Sequence, residues 1–148
     1  MNTDLRAEVR RLRALAFFYD VFLKLVLKGM ADVVGERGAV SVLRFAAREY
    51  GRSLGRSMRD FARKGMIEGL REVLTRAGTE PEVSEEDGWV VARIRKCPFK
   101  RPQETPLLCC ITQGLIEGFV GVFSRASVRK EQTMAEGSGE CVFRISPS

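Results

Sequence analysis

No histidine occurs anywhere in the sequence. Ser-His-Asp and Cys-His catalysis, His-ligated haem and every zinc motif that needs imidazole are therefore excluded. Long uncharged hydrophobic runs are missing too. The longest apolar stretch, AFFYDVFLKLVLKGMADVVG, is interrupted by Asp20, Lys24 and Lys28 at four-residue spacing. A membrane span needs about 20 mostly uncharged residues. The stretch reads instead as an amphipathic helix, and no membrane span is expected. The opening MNTDLRAEVRRLRALAFF mixes acids and bases and has no small-residue cleavage site after an apolar core. No secretory signal is read there. Neither G-x-x-x-x-G-K-[ST] nor G-x-G-x-x-G is present, which removes the common nucleotide cradles. Cysteine is too sparse, at four in 148 residues, for a disulfide scaffold. Reduced thiols in the cytoplasm are the expectation.

What remains is an ordinary globular composition, 45% hydrophobic and 30% charged, which excludes global disorder. The length suits one domain spanning 1–148. The net charge of +6 is uneven. Residues 1–71 carry 15 Lys/Arg against 8 Asp/Glu, while residues 72–148 carry 10 against 11. A basic half can serve a polyanion, but a solvated helix face is the plainer reading. Arg44, Arg48, Arg52 and Arg56 form an i, i+4 stripe without interleaved aromatics for base stacking, so nucleic acid is not expected as a partner.

Periodicity gives the order of elements. After the first amphipathic helix, Gly35 and Gly38 are expected to bracket a turn. A second helix runs from about Ala39 to Lys64, with Val42, Leu43, Ala46, Ala47, Tyr50, Leu54, Met58 and Phe61 at helical spacing. Gly51 and Gly55 lie inside it. Glycine costs about 1 kcal/mol there relative to alanine, and the usual compensation is another backbone packed close by. A third helix, about Ile67 to Ala77, stops at Gly78. Glu80–Ser84 and Trp89–Lys96 read as strands around SEEDG. In the second of these strands Trp89, Val91, Arg93 and Arg95 alternate with Val90, Ala92 and Ile94. The proline-rich loop KCPFKRPQETP follows. Leu107–Phe123 is helical, and Ser127–Met134 with Glu140–Ile145 make a second hairpin around AEGSG. The expected fold is α+β: N-terminal helices plus a four-stranded antiparallel sheet made by hairpin, helix and hairpin.

Two constellations carry chemistry. Cys97, Cys109, Cys110, Glu131 and Cys141 sit at element ends that two hairpins could bring together. Thiolates and a carboxylate can hold zinc tetrahedrally, although no tight C-x-x-C pair is present. Buried free cysteine used as a small hydrophobe is the plainer alternative. Trp89, Phe99, Phe119 and Phe123, with Phe143, are candidates to line a pocket between helix and sheet, with simple core packing as the alternative. Leu15, Phe18, Phe22 and Leu25 offer an apolar face suited to a homodimer. Cys97 follows Arg93, Arg95 and Lys96, cations that lower a thiol pKa, which keeps a thiol-dependent enzyme among the readings.

Several motifs occur together: Cys97-Pro98-Phe99, Cys110-x-x-x-Gly114-x-x-x-Gly118-Phe119, Val128-x-x-Glu131 and Gly137-x-x-x-Cys141-x-Phe143-x-Ile145. With Gly35-Glu-Arg-Gly38 and Arg48-x-x-Gly51-x-x-x-Gly55 upstream, the stretch of about 20–146 resembles the 4-vinyl-reductase, or hydrocarbon-binding, domain family. The resemblance implies a small, often dimeric α+β domain that binds an apolar or aromatic small molecule, in some members as the sensory half of a transcription activator. In those sensors a structural zinc is held by Cys, Glu, Cys and Cys. Carried over, Cys110 (or Cys109), Glu131 and Cys141 match. The remaining family cysteine is Met134 here, and thioether is a poor zinc ligand. The resemblance therefore implies either a lost site or one completed by Cys97 or by the second of Cys109 and Cys110. The family's bacteriochlorophyll-biosynthesis members keep a tetrapyrrole-related activity in view. The Cys97-Pro98 motif is similar to one in aminothiazoline-carboxylate hydrolases and adds a hydrolytic alternative. A homodimeric assembly module without a ligand is the third class.

Overall fold

The computed structural model describes residues 3–99 and 101–146. The chain forms two compact units, Met1–Ala39 and Val40–Ser148. The second unit holds the last part of the long N-terminal helix and all the other helices and strands of the α+β fold.

Helix α1 (Thr3–Asp60) opens with Asp4 and closes with Arg59, each matching the helix dipole. Its one non-helical residue is Gly35, at φ 78° and ψ 163°. Glycine reaches this backbone region without a Cβ clash. The turn expected between Gly35 and Gly38 is thus a one-residue break, and Gly38 is already helical. Helix α2 (Met66–Arg76) buries Gly69, Leu70, Val73 and Leu74 on one face. It ends where Gly78, at φ 85°, lets Thr79 N–H turn back to Leu74 C=O.

Strands β1 (Pro81–Glu86) and β2 (Trp89–Ile94) pair antiparallel. Asp87 and Gly88 both have positive φ (52° and 81°), the backbone of a two-residue hairpin turn. The strand therefore runs through Glu85 and Glu86, where the sequence pattern predicts turn. Helix α3 (Cys109–Val120) follows two short 3-10 turns that contain Pro102 and Pro106. Strands β3 (Val128–Gln132) and β4 (Cys141–Ile145) complete an antiparallel sheet of order β1-β2-β4-β3. The expected hairpin–helix–hairpin sheet is present.

The core lies between α2, α3 and one face of the sheet. Phe119, Ile116, Leu70 and Leu74 meet Ala92, Ile94, Phe143 and Ile145, all essentially fully buried. Each large side chain contributes about 2–3 kcal/mol of transfer free energy. The other face carries ion pairs, with Arg93 between Glu86 (3.2 Å) and Glu140 (3.4 Å) and Arg95 on Glu82 (2.8 Å).

The second half of α1 crosses α3 through glycine notches. A Cβ at Gly51 would lie 2.9 Å from Phe119 N, and one at Gly114 would lie 2.8 Å from Arg44 O. Gly55 and Gly118 are equally tight against the opposite backbone. This is the close approach expected for Gly51 and Gly55. The arginine stripe serves the same contact: Arg44 and Arg48 both pair with Glu117 of α3. Arg52 pairs with Glu49 on its own helix. The upstream positive charge is thus partly absorbed within the fold.

Candidate functional site

A cavity opens where the proline-rich loop, the start of α3, the end of β2 and the start of β4 converge. Cys97, Pro98 and Phe99 line it from the loop. Cys109 and Thr112 line it from one face of α3, three residues apart. Met134 contributes from the 3-10 turn after β3, and Ile94, Cys141 and Phe143 form the sheet wall. The enclosed space is about 20 Å³, room for about one water molecule, so a larger ligand would have to widen it by displacing the loop. Its walls are almost entirely apolar, apart from the thiols and the Thr112 hydroxyl.

Strand alternation and helix phase decide which expected residues reach this cavity. Phe99 does. Phe119 does not: it is fully buried in the core, 5.2 Å centroid to centroid from Phe123. Phe123 packs against the same core rather than on the cavity wall. Trp89 pairs with Glu86 and shares the strand face of Arg93, opposite to Val90, Ala92 and Ile94. It therefore stands on the ion-paired face.

The expected metal set separates in the same way. Cys97 and Cys141 line the cavity, joined by Cys109. Cys110 is not among the lining residues. It feels the charge of Arg44 and of its neighbour Cys109. Glu131 lies at the irregularity of β3 between Lys130 and Gln132, and its Oε1 is 2.7 Å from Arg144 Nε. Among the described residues no group of three His, Cys, Asp or Glu side chains is placed to hold a metal ion. The residues present do not fit the zinc site that the resemblance implied, because its carboxylate is engaged elsewhere and its fourth position is Met134.

Thiol electrostatics follow from burial. Desolvation pushes Cys109, Cys110 and Cys141 above the ordinary thiol value of 9.0. Opposing contributions are smaller: a Thr133 hydrogen bond favours the Cys109 thiolate, and Met134 N–H donates to Cys141 Sγ at 3.3 Å. These three thiols are thus protonated at neutral pH. A protonated thiol is a weak nucleophile, so iodoacetamide at pH 7 should label Cys109, Cys110 and Cys141 more slowly than free cysteine. The linkage has a definite sign. Folded pKa values raised above the unfolded ones give stability that is complete below about pH 9 and lost as pH rises through the folded values. Peptide mapping of the alkylated protein from pH 7 to 10 reads the first effect, and melting curves over the same range read the second. Labelling of these three at pH 7 as fast as free cysteine would refute the assignment.

Of the lining residues only Phe99 and Phe143 belong to the expected pocket set; Ile94, Cys97, Pro98, Cys109, Thr112, Met134 and Cys141 do not. The signals were available: Thr112 follows Cys109 by one helical turn, and Met134 precedes Cys141 across the closing hairpin. Lys130, whose charge favours both Cys109 and Cys110 thiolates, was also passed over. It donates to Glu136 Oε1 at 3.0 Å.

Comparison with known proteins places this arrangement. No curated protein matches the sequence. Among solved structures, the phenol-responsive sensory domain of the transcription activator PoxR with phenol is similar. Its TM-score is 0.63 at 14% identity, over 86% of this chain and 74% of that one. A trafficking protein particle complex subunit 3 from Naegleria fowleri, covalently bound to palmitic acid, is similar at TM-score 0.57 and 14% identity, over 91% and 93%. At these identities the likeness is one of fold. No helix among the described residues is long and apolar enough to cross a membrane. The profile of methanogen output domain 1 matches residues 58–146, which hold α2, the whole sheet, α3 and every residue lining the cavity. The chain belongs to the methanogen output domain 1 family.

Proposed function

We propose that the domain binds a small apolar or aromatic molecule in the cavity between the proline-rich loop, α3 and β4, and that it works as a sensory module in a homodimer. The observation that carries this reading is the cavity itself: apolar walls, one hydroxyl and three thiols, closed by a loop rather than by the core. The two similar folds support it, since one is described with phenol and the other with palmitic acid. The 4-vinyl-reductase resemblance is consistent with the same reading. Desolvation of three of the four thiols favours binding over thiol catalysis. Zinc has no part in this proposal.

Titration calorimetry with phenol and, separately, with palmitate tests it. Thr112→Phe fills the cavity from the half-exposed first turn of α3. It should weaken binding at least tenfold, about 1.4 kcal/mol. Trp89→Ala, on the ion-paired face, should leave affinity unchanged. Binding that survives Thr112→Phe and falls with Trp89→Ala would move the site to the other face of the sheet.

A further inference from the structure

The first unit of the chain carries a surface that the ligand site does not use. Leu5, Leu12, Tyr19, Val26 and Val33 recur every seventh residue along the first half of α1. All five are exposed, three of them by more than half of their surface and Val33 by 83%. Leu15 and Phe22 flank this stripe and are exposed as well. A seven-residue repeat sustained over four heptads keeps one stripe facing a partner helix along its whole length, which is the seam of a coiled coil. Between Leu12 and Val26 the stripe and these flanks carry no charge. Asp20 and Lys24 pair with each other at 3.0 Å on a different face.

We infer that this stripe is the seam on which a second copy of the chain packs. The inference rests on the homodimer reading above and supplies its contact surface. Two arguments favour a second copy over a foreign partner. An isologous contact joins a patch to itself and therefore needs one that is self-complementary. An uncharged apolar stripe meets that need, because no like charges face each other across the axis. The area is also sufficient. Large side chains offer roughly 200 Å² each, so seven residues exposed by about half present about 700 Å² per chain. A stable interface of standard size buries roughly 800 Å² per partner.

Light scattering after size exclusion, on the full chain, tests the seam through two variants. The wild type should run at twice the mass of one chain. Tyr19→Lys places a charge in the middle of the stripe and should give monomer. Phe17→Lys adds the same charge to a residue 59% exposed on another face and should remain a dimer. Far-UV circular dichroism confirms that each variant keeps its helix, and Val26→Lys repeats the test one heptad further on. A monomeric wild type overturns both the dimer and the seam. A dimer that persists in Tyr19→Lys and Val26→Lys overturns the seam alone and leaves the homodimer reading standing. Loss of the dimer in Phe17→Lys as well as Tyr19→Lys overturns the assignment to this stripe.

Discussion

Replacing Gly118 by alanine is expected to cost about 3 kcal/mol and to lower the melting temperature by roughly 10 °C. The reason is geometric. A Cβ at Gly118 falls 2.7 Å from the carbonyl carbon and 2.8 Å from the Cα of Arg48, and it meets the Arg48 carbonyl oxygen more closely still. These are backbone atoms, so no rotamer change relieves the contact. The two helices must separate, and that opens the notch pairs at Gly51, Gly55 and Gly114 and stretches the Arg44 and Arg48 pairs with Glu117. Gly29 is the control. It is also helical, but a Cβ there meets nothing within 4 Å. Gly29→Ala should stabilise α1 by about 1 kcal/mol through helix propensity alone. Thermal melts of the two variants separate steric packing from propensity. Equal effects in both would refute the notch.

The second large effect is expected from Phe119→Ala, at about 4 kcal/mol. Phe119 is fully buried, touches the notch at Gly69, where a Cβ would lie 2.8 Å from its Cζ, and stacks at a tilt against Phe123. Its loss leaves a cavity between α2, α3 and the sheet that these elements cannot fill without moving. Urea denaturation should show a lower midpoint with an unchanged slope, since the surface exposed on unfolding stays the same. Phe119 also lies outside the thiol-lined cavity, so phenol affinity measured below the melting transition should stay within about twofold of wild type. A variant that keeps its stability but loses phenol binding would return Phe119 to the pocket wall.

Much of the architecture could be read from local pattern. The change from helical to strand periodicity marked both hairpins and α3, and Asp87-Gly88 marked the first turn. Gly51 and Gly55 announced a close helix contact because glycine inside a helix needs a steric reason. The errors at β1 and at Gly35 were boundary errors. Glu85 and Glu86 are polar enough to look like turn, yet the register opposite Val90 and Trp89 keeps them in strand. A single left-handed glycine was enough to break α1 where a longer turn was expected.

The candidate site was legible only in part. Period two already held the answer for Trp89, which shares its parity with Arg93 and Arg95 and follows them to the outer face. It held none for Glu131, because the register of β3 shifts between Lys130 and Gln132. The separation of Cys109 from Cys110 was less accessible. Adjacent helical residues point about 100° apart, and only the docking of α3 decides which one meets the loop cysteine.

The sequence alone therefore determined the α+β class, the strand order within each hairpin, the glycine-notched crossing and the absence of imidazole chemistry. These depend on local periodicity and on residue type. Tertiary structure decided that Cys97, Cys109 and Cys141 share one cavity, that Glu131 is held by Arg144 and that Phe119 fills space rather than lining it. Those outcomes depend on how segments tens of residues apart close on one another, and on whether their side-chain volumes fill the gap they enclose. No local pattern encodes that balance.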